Sequence, residues 1–160
     1  MALFIKNLLF TVLVPGTVAV YLPLVITEGR SPASAWAIAR AAPVFSAGAA
    51  IYAWCVWDFA TFGRGTPAPI DAPKRLVVRG LYRYTRNPMY VGVLAVILGW
   101  VLLFPSRALG LYAGLVGTCF HLFVLLYEEH HLHRTFGEEY DTYCKRVGRW
   151  LPMLGRWPDS

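Results

Sequence analysis

Three arginines and three tyrosines fall within twelve residues (Arg79, Tyr82, Arg83, Tyr84, Arg86 and Tyr90), and the stretch then breaks at Asn87-Pro88 and continues as an uncharged apolar run. A second polar cluster, Glu128-Glu129 with His130, His131 and His133, stands where a later apolar run ends. Asn87-Pro88 suits a helix start, with Asn as the cap and Pro in the first turn. The free N–H groups and positive dipole end of such a start can receive a carboxylate. Adjacent carboxylates at a membrane boundary are costly unless solvated or paired. Glu128-Glu129 is therefore either a solvated pair, with Arg134 in reach, or a grip for an ammonium group or ribose hydroxyls. His130 and His133 have the i, i+3 spacing of a metal pair, but no third and fourth ligand follows at a familiar spacing, Glu138, Glu139 and Cys144 being generic. No metal is assigned. Plain anchoring by Tyr and basic residues at a bilayer edge is the other reading of the first cluster.

The elements that must position these clusters are apolar helices. Of 160 residues, 57% are hydrophobic and 15% charged, where a soluble domain carries about 25% charged residues. Four long apolar segments, about 3–26, 35–60, 89–104 and 108–127, make this an all-α membrane protein of one domain, residues 1–160. Phe104–Arg107 ties the last two segments into a helical hairpin. A span needs about 20 residues, so the third is short. Pro15, Pro23 and Pro43 predict kinks in the first two. The N-terminal segment is too long for a signal-peptide core and reads as a retained span. The tail continues the fourth helix, breaks at Gly137, and forms a short amphipathic helix over Glu138–Arg146.

Twelve of the fifteen Lys and Arg residues fall at the N-terminus, in the central loop and in the tail. Arg30 and Arg107 are the cations of the opposite loops, and Arg40 lies in the second span. The positive-inside rule then places both termini and the central loop in the cytoplasm. It also gives the formal charge of +6 a membrane explanation, with no nucleic-acid partner. Cys55, Cys119 and Cys144 match no metal or disulfide spacing. His121, inside the fourth span, is expected to bond another helix, and Gly110, Gly114 and Gly117 offer a small-residue contact face. Nucleotide-binding and hydrolase loops of the soluble type are absent from the sequence.

"GLYRYTRNPMYVG" followed by "EEHHLHRTFGEEYDTYCKRVGRWLP" resembles the integral-membrane methyltransferases, which include isoprenylcysteine carboxyl methyltransferases and phospholipid N-methyltransferases. The matching pieces are Gly80, Tyr82, Arg86–Gly92, Glu128-Glu129, Leu132, Phe136-Gly137, Tyr140, Tyr143, Val147 and Pro152. The resemblance implies S-adenosylmethionine as cofactor, held by residues 74–92 and 128–152. By position, the contacts are Lys74, Arg75, Leu76, Val77, Tyr82, Asn87, Pro88, Met89, Tyr90 and Glu128. It also implies a lipophilic acceptor drawn from the bilayer. An amine acceptor would first need to lose a proton, for which Glu129 or His131 is the nearest candidate base, and Arg86 is a further candidate catalytic group.

Two departures stand out. The family's His before Pro is Asn87, which does not titrate. The isoprenylcysteine enzymes carry an Arg four residues before the cofactor Glu, and Val124 stands there. The acceptor, a carboxylate or an amine, stays open. Two rivals remain: a membrane reductase that uses NADPH on a sterol-like lipid, and a non-catalytic scaffold. Oligomeric state is not legible.

Overall fold

A computed structural model of the chain describes residues 2–63 and 75–153, with the side chains of all but 2–7 and 63. The first span is three joined pieces: α1 (Ala2–Leu13), a π-helical turn (Thr17–Tyr21) and α2 (Leu22–Ile26). Pro23 explains how this span is held. It has no N–H, so the carbonyls a π turn and an α turn before it, Val18 and Ala19, lose their helical donor. Tyr112 donates to the Val18 carbonyl at 2.5 Å and the Trp100 indole to the Ala19 carbonyl at 2.9 Å. A sequence-local defect thus becomes two tertiary hydrogen bonds.

α3 (Ala35–Asp58) starts on Ser34, whose side chain accepts from the Ala37 amide at 3.1 Å, and runs unbroken through Pro43 into a second π turn at Phe59–Gly63. α4 (Pro88–Leu103) packs on it backbone to backbone. A Cβ at Gly48 would lie 2.7 Å from the Gly92 carbonyl oxygen, and one at Gly99 would strike the Phe45 ring. Small residues set this approach because lipid supplies no hydrophobic drive between helices. α5 (Arg107–Phe123) continues through a π turn (Val124–Glu128) into α6 (Glu129–Phe136).

Leu8–Ile26, Ala35–Phe62 and Arg107–Phe136 are long and apolar enough to cross a membrane. α4, at 16 residues, rises only about 24 Å at 1.5 Å per residue, against a core of about 30 Å. Length therefore supports three spans where the sequence suggested four, and the fourth helix extends well past residue 127. The short loops expected to share a side do meet: Arg30 donates to Ser106 at 2.9 Å, and the Ala33 amide to the Leu103 carbonyl at 3.3 Å. Among the described residues, Gly110 and Gly114 have nothing within 4 Å of a built Cβ, and Gly117 meets Leu94 at 3.8 Å.

At the other end Gly137, at φ +52°, breaks the helix as expected, and α7 (Glu138–Arg146) follows. Tyr140, Tyr143 and Val147 are buried against Leu76, Val78, Leu132 and Phe136. Val77, between Leu76 and Val78, instead packs with Cys55 and Tyr82. This alternation is what an extended segment wedged between the spans and the tail requires.

Candidate active site

The two motif clusters converge on one cavity of about 100 Å³ between the first span, α3, α4 and α5. Tyr82, Arg86, Asn87, Tyr90 and Glu128 supply its polar lining, and Phe10, Val14, Val18, Tyr52, Met89, Val93 and Phe120 its apolar lining. Tyr90, on the first turn of α4, donates to Glu128 Oε2 at 2.9 Å across the α4–α5 hairpin. The adjacent Glu128 and Glu129 diverge because consecutive helical residues leave the axis about 100° apart. Glu129 therefore turns away to the tail.

There it accepts two bonds from Arg149, Nε at 2.7 Å and Nη2 at 2.8 Å, and one from Arg86 Nη1 at 2.9 Å. The carboxylate's direct hydrogen bonds raise Arg149 above the usual guanidinium range, which favours the ion pair. Arg134, offered by the sequence as a partner for the glutamates, is exposed, and Arg86 and Arg149 take its place. Arg86 Nη1 also lies 2.9 Å from Cys144 Sγ. Glu129 is thereby engaged as a clamp for the tail and does not line the cavity.

The clamp fastens a strap. Thr85 pairs with Gly148 in an isolated parallel bridge, and the Arg86 amide donates to the Gly148 carbonyl at 2.9 Å. Asn87 Nδ2 donates to the Arg149 carbonyl at 3.0 Å, joined there by Thr85 Oγ1 at 3.1 Å. The expected Asn cap is thus corrected: Asn87 makes no side-chain capping bond, because its amide is drawn to the tail. The first turn of α4 is left without a capping side chain, the condition under which a helix start accepts an anion.

Trp150 ends the strap, its ring 6.4 Å from Tyr90 and its Nε1 3.1 Å from His121 Nδ1. His121 therefore bonds the tail, not another span, and no sequence signal linked these two aromatic residues. Beneath, Tyr143 donates to the Tyr82 carbonyl at 2.6 Å. Burial pushes the Tyr82 and Tyr143 phenols up, so both stay protonated donors.

Gly80 adds a contact absent from the motif reading. Its φ of +58° suits glycine, and a Cβ there would strike the carboxylate of Asp58, which is buried at the end of α3. Among the remaining sequence candidates, Pro88 is buried beside the cavity, and Val77, Leu76 and exposed Arg75 lie on the segment leading to it. Lys74 and most of the Gly/Pro-rich turn lie outside the described residues. His131 is exposed, stacked on Tyr127 at 6.0 Å, and is not brought to the cavity. His133 contacts Asp141 at 2.9 Å, and among the described residues no group of three or more His, Cys, Asp or Glu is arranged around a metal position. Val124, at the position of the isoprenylcysteine enzymes' Arg, is buried.

The residues present suit a sulfonium amino acid. Glu128 is a carboxylate in a largely apolar cavity with a neutral phenol as its hydrogen-bond donor, which leaves its charge open to a cation. The α4 start can take a carboxylate, and the Tyr82 and Tyr90 rings can face a sulfonium.

The profile of the family described as phospholipid methyltransferase matches residues 36–139, well over half of the chain. A methanethiol S-methyltransferase from Pseudomonas deceptionensis is 38% identical over 93 residues, which cover 58% of this chain. The chain spans about a third of that relative's length (33%). No solved structure matches.

Proposed function

The chain belongs to the phospholipid methyltransferase family, and on that premise we propose that it is an S-adenosylmethionine-dependent methyltransferase acting on a lipophilic acceptor within the membrane. The observation that carries this reading is the Tyr90–Glu128 pair, a carboxylate held at a helix start inside a cavity shared with the first span. When bound, S-adenosylmethionine supplies an electrophilic methyl group on a sulfonium and departs as a thioether, a leaving group that needs no acid.

The chain's own residues do the rest by placement. Glu128 would hold the amino acid ammonium, the α4 start its carboxylate, and the Tyr82 and Tyr90 rings would face the charged sulfur. Fixing donor and acceptor in line supplies much of the rate in such a transfer. The strap of residues 147–150, clamped by Glu129, lies against the start of α4 through Asn87 and Tyr90. Arg86 acts as a positioning residue through Glu129, and His131 has no part in the site. Donor entry is from the face that carries the central loop and the tail, the strongly basic end that the positive-inside rule assigns to the cytoplasm.

Titration of the purified protein with S-adenosylhomocysteine and with NADPH, followed by thermal shift, tests the assignment. Stabilisation by S-adenosylhomocysteine and none by NADPH is expected. A folded protein that ignores S-adenosylhomocysteine overturns the reading, and a response to NADPH alone favours a reductase.

A further inference from the structure

Asp58 is the one acidic residue among residues 35–60, the second apolar segment of the sequence. It ends α3 with 3% of its surface exposed. An ionisable side chain within a membrane span is costly, and its partners point to what it does there. The Trp54 indole, one turn earlier on α3, donates to the carboxylate, and Arg79 supplies an opposite charge. Oδ2 has no hydrogen-bond partner among the described residues, and it lies where a Cβ at Gly80 would strike it. The carboxylate thus meets the chain at Arg79 and Gly80, the entry to the first motif. We propose that Asp58 is a positioning residue of the cofactor site: together with Cys55 it seats the turn Gly80–Arg83 on α3 and so places the Tyr82 ring at the cavity. The role toward cofactor rests on the methyltransferase assignment, whereas the seating of the turn does not.

The turn needs such a seat. It is a four-residue 3-10 helix with no side-chain capping bond, and so short a 3-10 piece holds poorly by itself. Cys55, Asp58 and Phe59 are three and four residues apart, which puts them on one face of α3. Asp58 meets the start of the turn. Cys55 is hydrogen-bonded to the Tyr82 phenol, and Phe59 meets the Tyr82 ring edge-on at 5.5 Å. Tyr143 holds the same residue from the tail through the Tyr82 carbonyl, at 2.6 Å. Tyr82 itself lines the cavity.

The charge separates this role from plain packing. An apolar side chain would fill the same place without the cost of desolvating a carboxylate, so Asp58 is a poor stabiliser. Its opposite charge, Arg79, is exposed, with its guanidinium 4.2 Å above the Phe62 ring. Deleting Asp58 therefore leaves no buried charge behind. Its loss should cost binding and local order in the turn, and not the stability of the bundle.

The experiment uses the full chain in detergent. Asp58→Ala should weaken S-adenosylhomocysteine binding, read by calorimetry, by about tenfold, within the range for residues coupled through a shared contact. The midpoint of thermal unfolding should stay level or rise. Added to Tyr82→Ala, the same change should weaken binding by less than about twofold further, because both act through one turn. Amide exchange at Tyr82 and Tyr84, whose N–H groups bond the Arg79 and Leu81 carbonyls at 3.1 Å, should quicken in Asp58→Ala with no ligand present. Should the alanine variant fail to fold, Asp58→Asn, which keeps the shape and loses the charge, is held to the same outcomes. Unchanged exchange at the turn, an unchanged affinity, or a fully additive double variant overturns the proposal. Exchange that quickens throughout the helices, with a lowered midpoint, also overturns it and leaves a structural role. An unmodified protein that ignores S-adenosylhomocysteine sinks the methyltransferase assignment instead, and the exchange measurement still decides whether Asp58 seats the turn.

Discussion

The two ends of the helix bundle use polar residues differently. At the end formed by the short loops, Arg30 to Ser106 and the Ala33 amide to the Leu103 carbonyl tie neighbouring turns together. At the cavity end, Thr85, Arg86, Asn87, Glu129 and Arg149 form a connected set of bonds that fastens the tail over the start of α4. Polar groups near a membrane are cheapest left in water. Among the described residues, their partial burial and mutual bonding at this end mark the region where geometry has to be held. Glu128 stands apart within that end, facing the cavity with Tyr90 while its neighbour Glu129 is fully engaged by arginines.

The sharpest break in this contrast is Glu128→Gln. Removing the charge should weaken S-adenosylhomocysteine binding by at least about 30-fold, the lower end of the roughly 2–5 kcal/mol lost when a buried charge loses its partner. Calorimetry reads it directly, and an unchanged affinity would remove Glu128 from the site. Arg149→Met comes next. It undoes the two-pronged bond to Glu129, and with side chains 31% and 18% exposed the cost should be about 1–2 kcal/mol, between the exposed and buried limits. A lowered midpoint of thermal unfolding checks this, and a midpoint equal to that of the unmodified protein would mean the strap is held by other contacts. Arg30→Ala at the far end should change stability by less than about 0.5 kcal/mol, as exposed polar substitutions do. A drop as large as that of Arg149→Met would erase the distinction between the ends.

Much of this arrangement was legible beforehand. The apolar runs, the break at Gly137, the short α7 and the pairing of the 80–92 motif with Glu128 all follow from periodicity, breaker residues and motif spacing. The helix start at Pro88 was legible too, but the duty of Asn87 was not. A cap needs the Asn87 side-chain oxygen turned to the α4 amides, whereas the bond to the Arg149 carbonyl turns its Nδ2 to the tail, and local spacing does not choose between these orientations. Likewise Glu129 and His131 looked equivalent as polar neighbours of Glu128. Helical rotation and the position of the tail engage Glu129 with two arginines and leave His131 exposed. The π turn at Thr17–Tyr21 and its rescue by Trp100 and Tyr112 are invisible without the fold, because donor and acceptor lie 81 and 94 residues apart.

What the sequence determined by itself, then, is the set of apolar helices, the asymmetry of charge between their ends, and the two motifs that carry the family resemblance. These are properties of composition and near-neighbour spacing, on which hydrophobic burial and helix termini act locally. Only the tertiary structure decided that the first span walls the cavity, that Glu128 and Glu129 part company, and that the strap at residues 147–150 closes over Tyr90. Those outcomes depend on which buried polar groups find partners across the bundle, and that competition is settled by three-dimensional proximity.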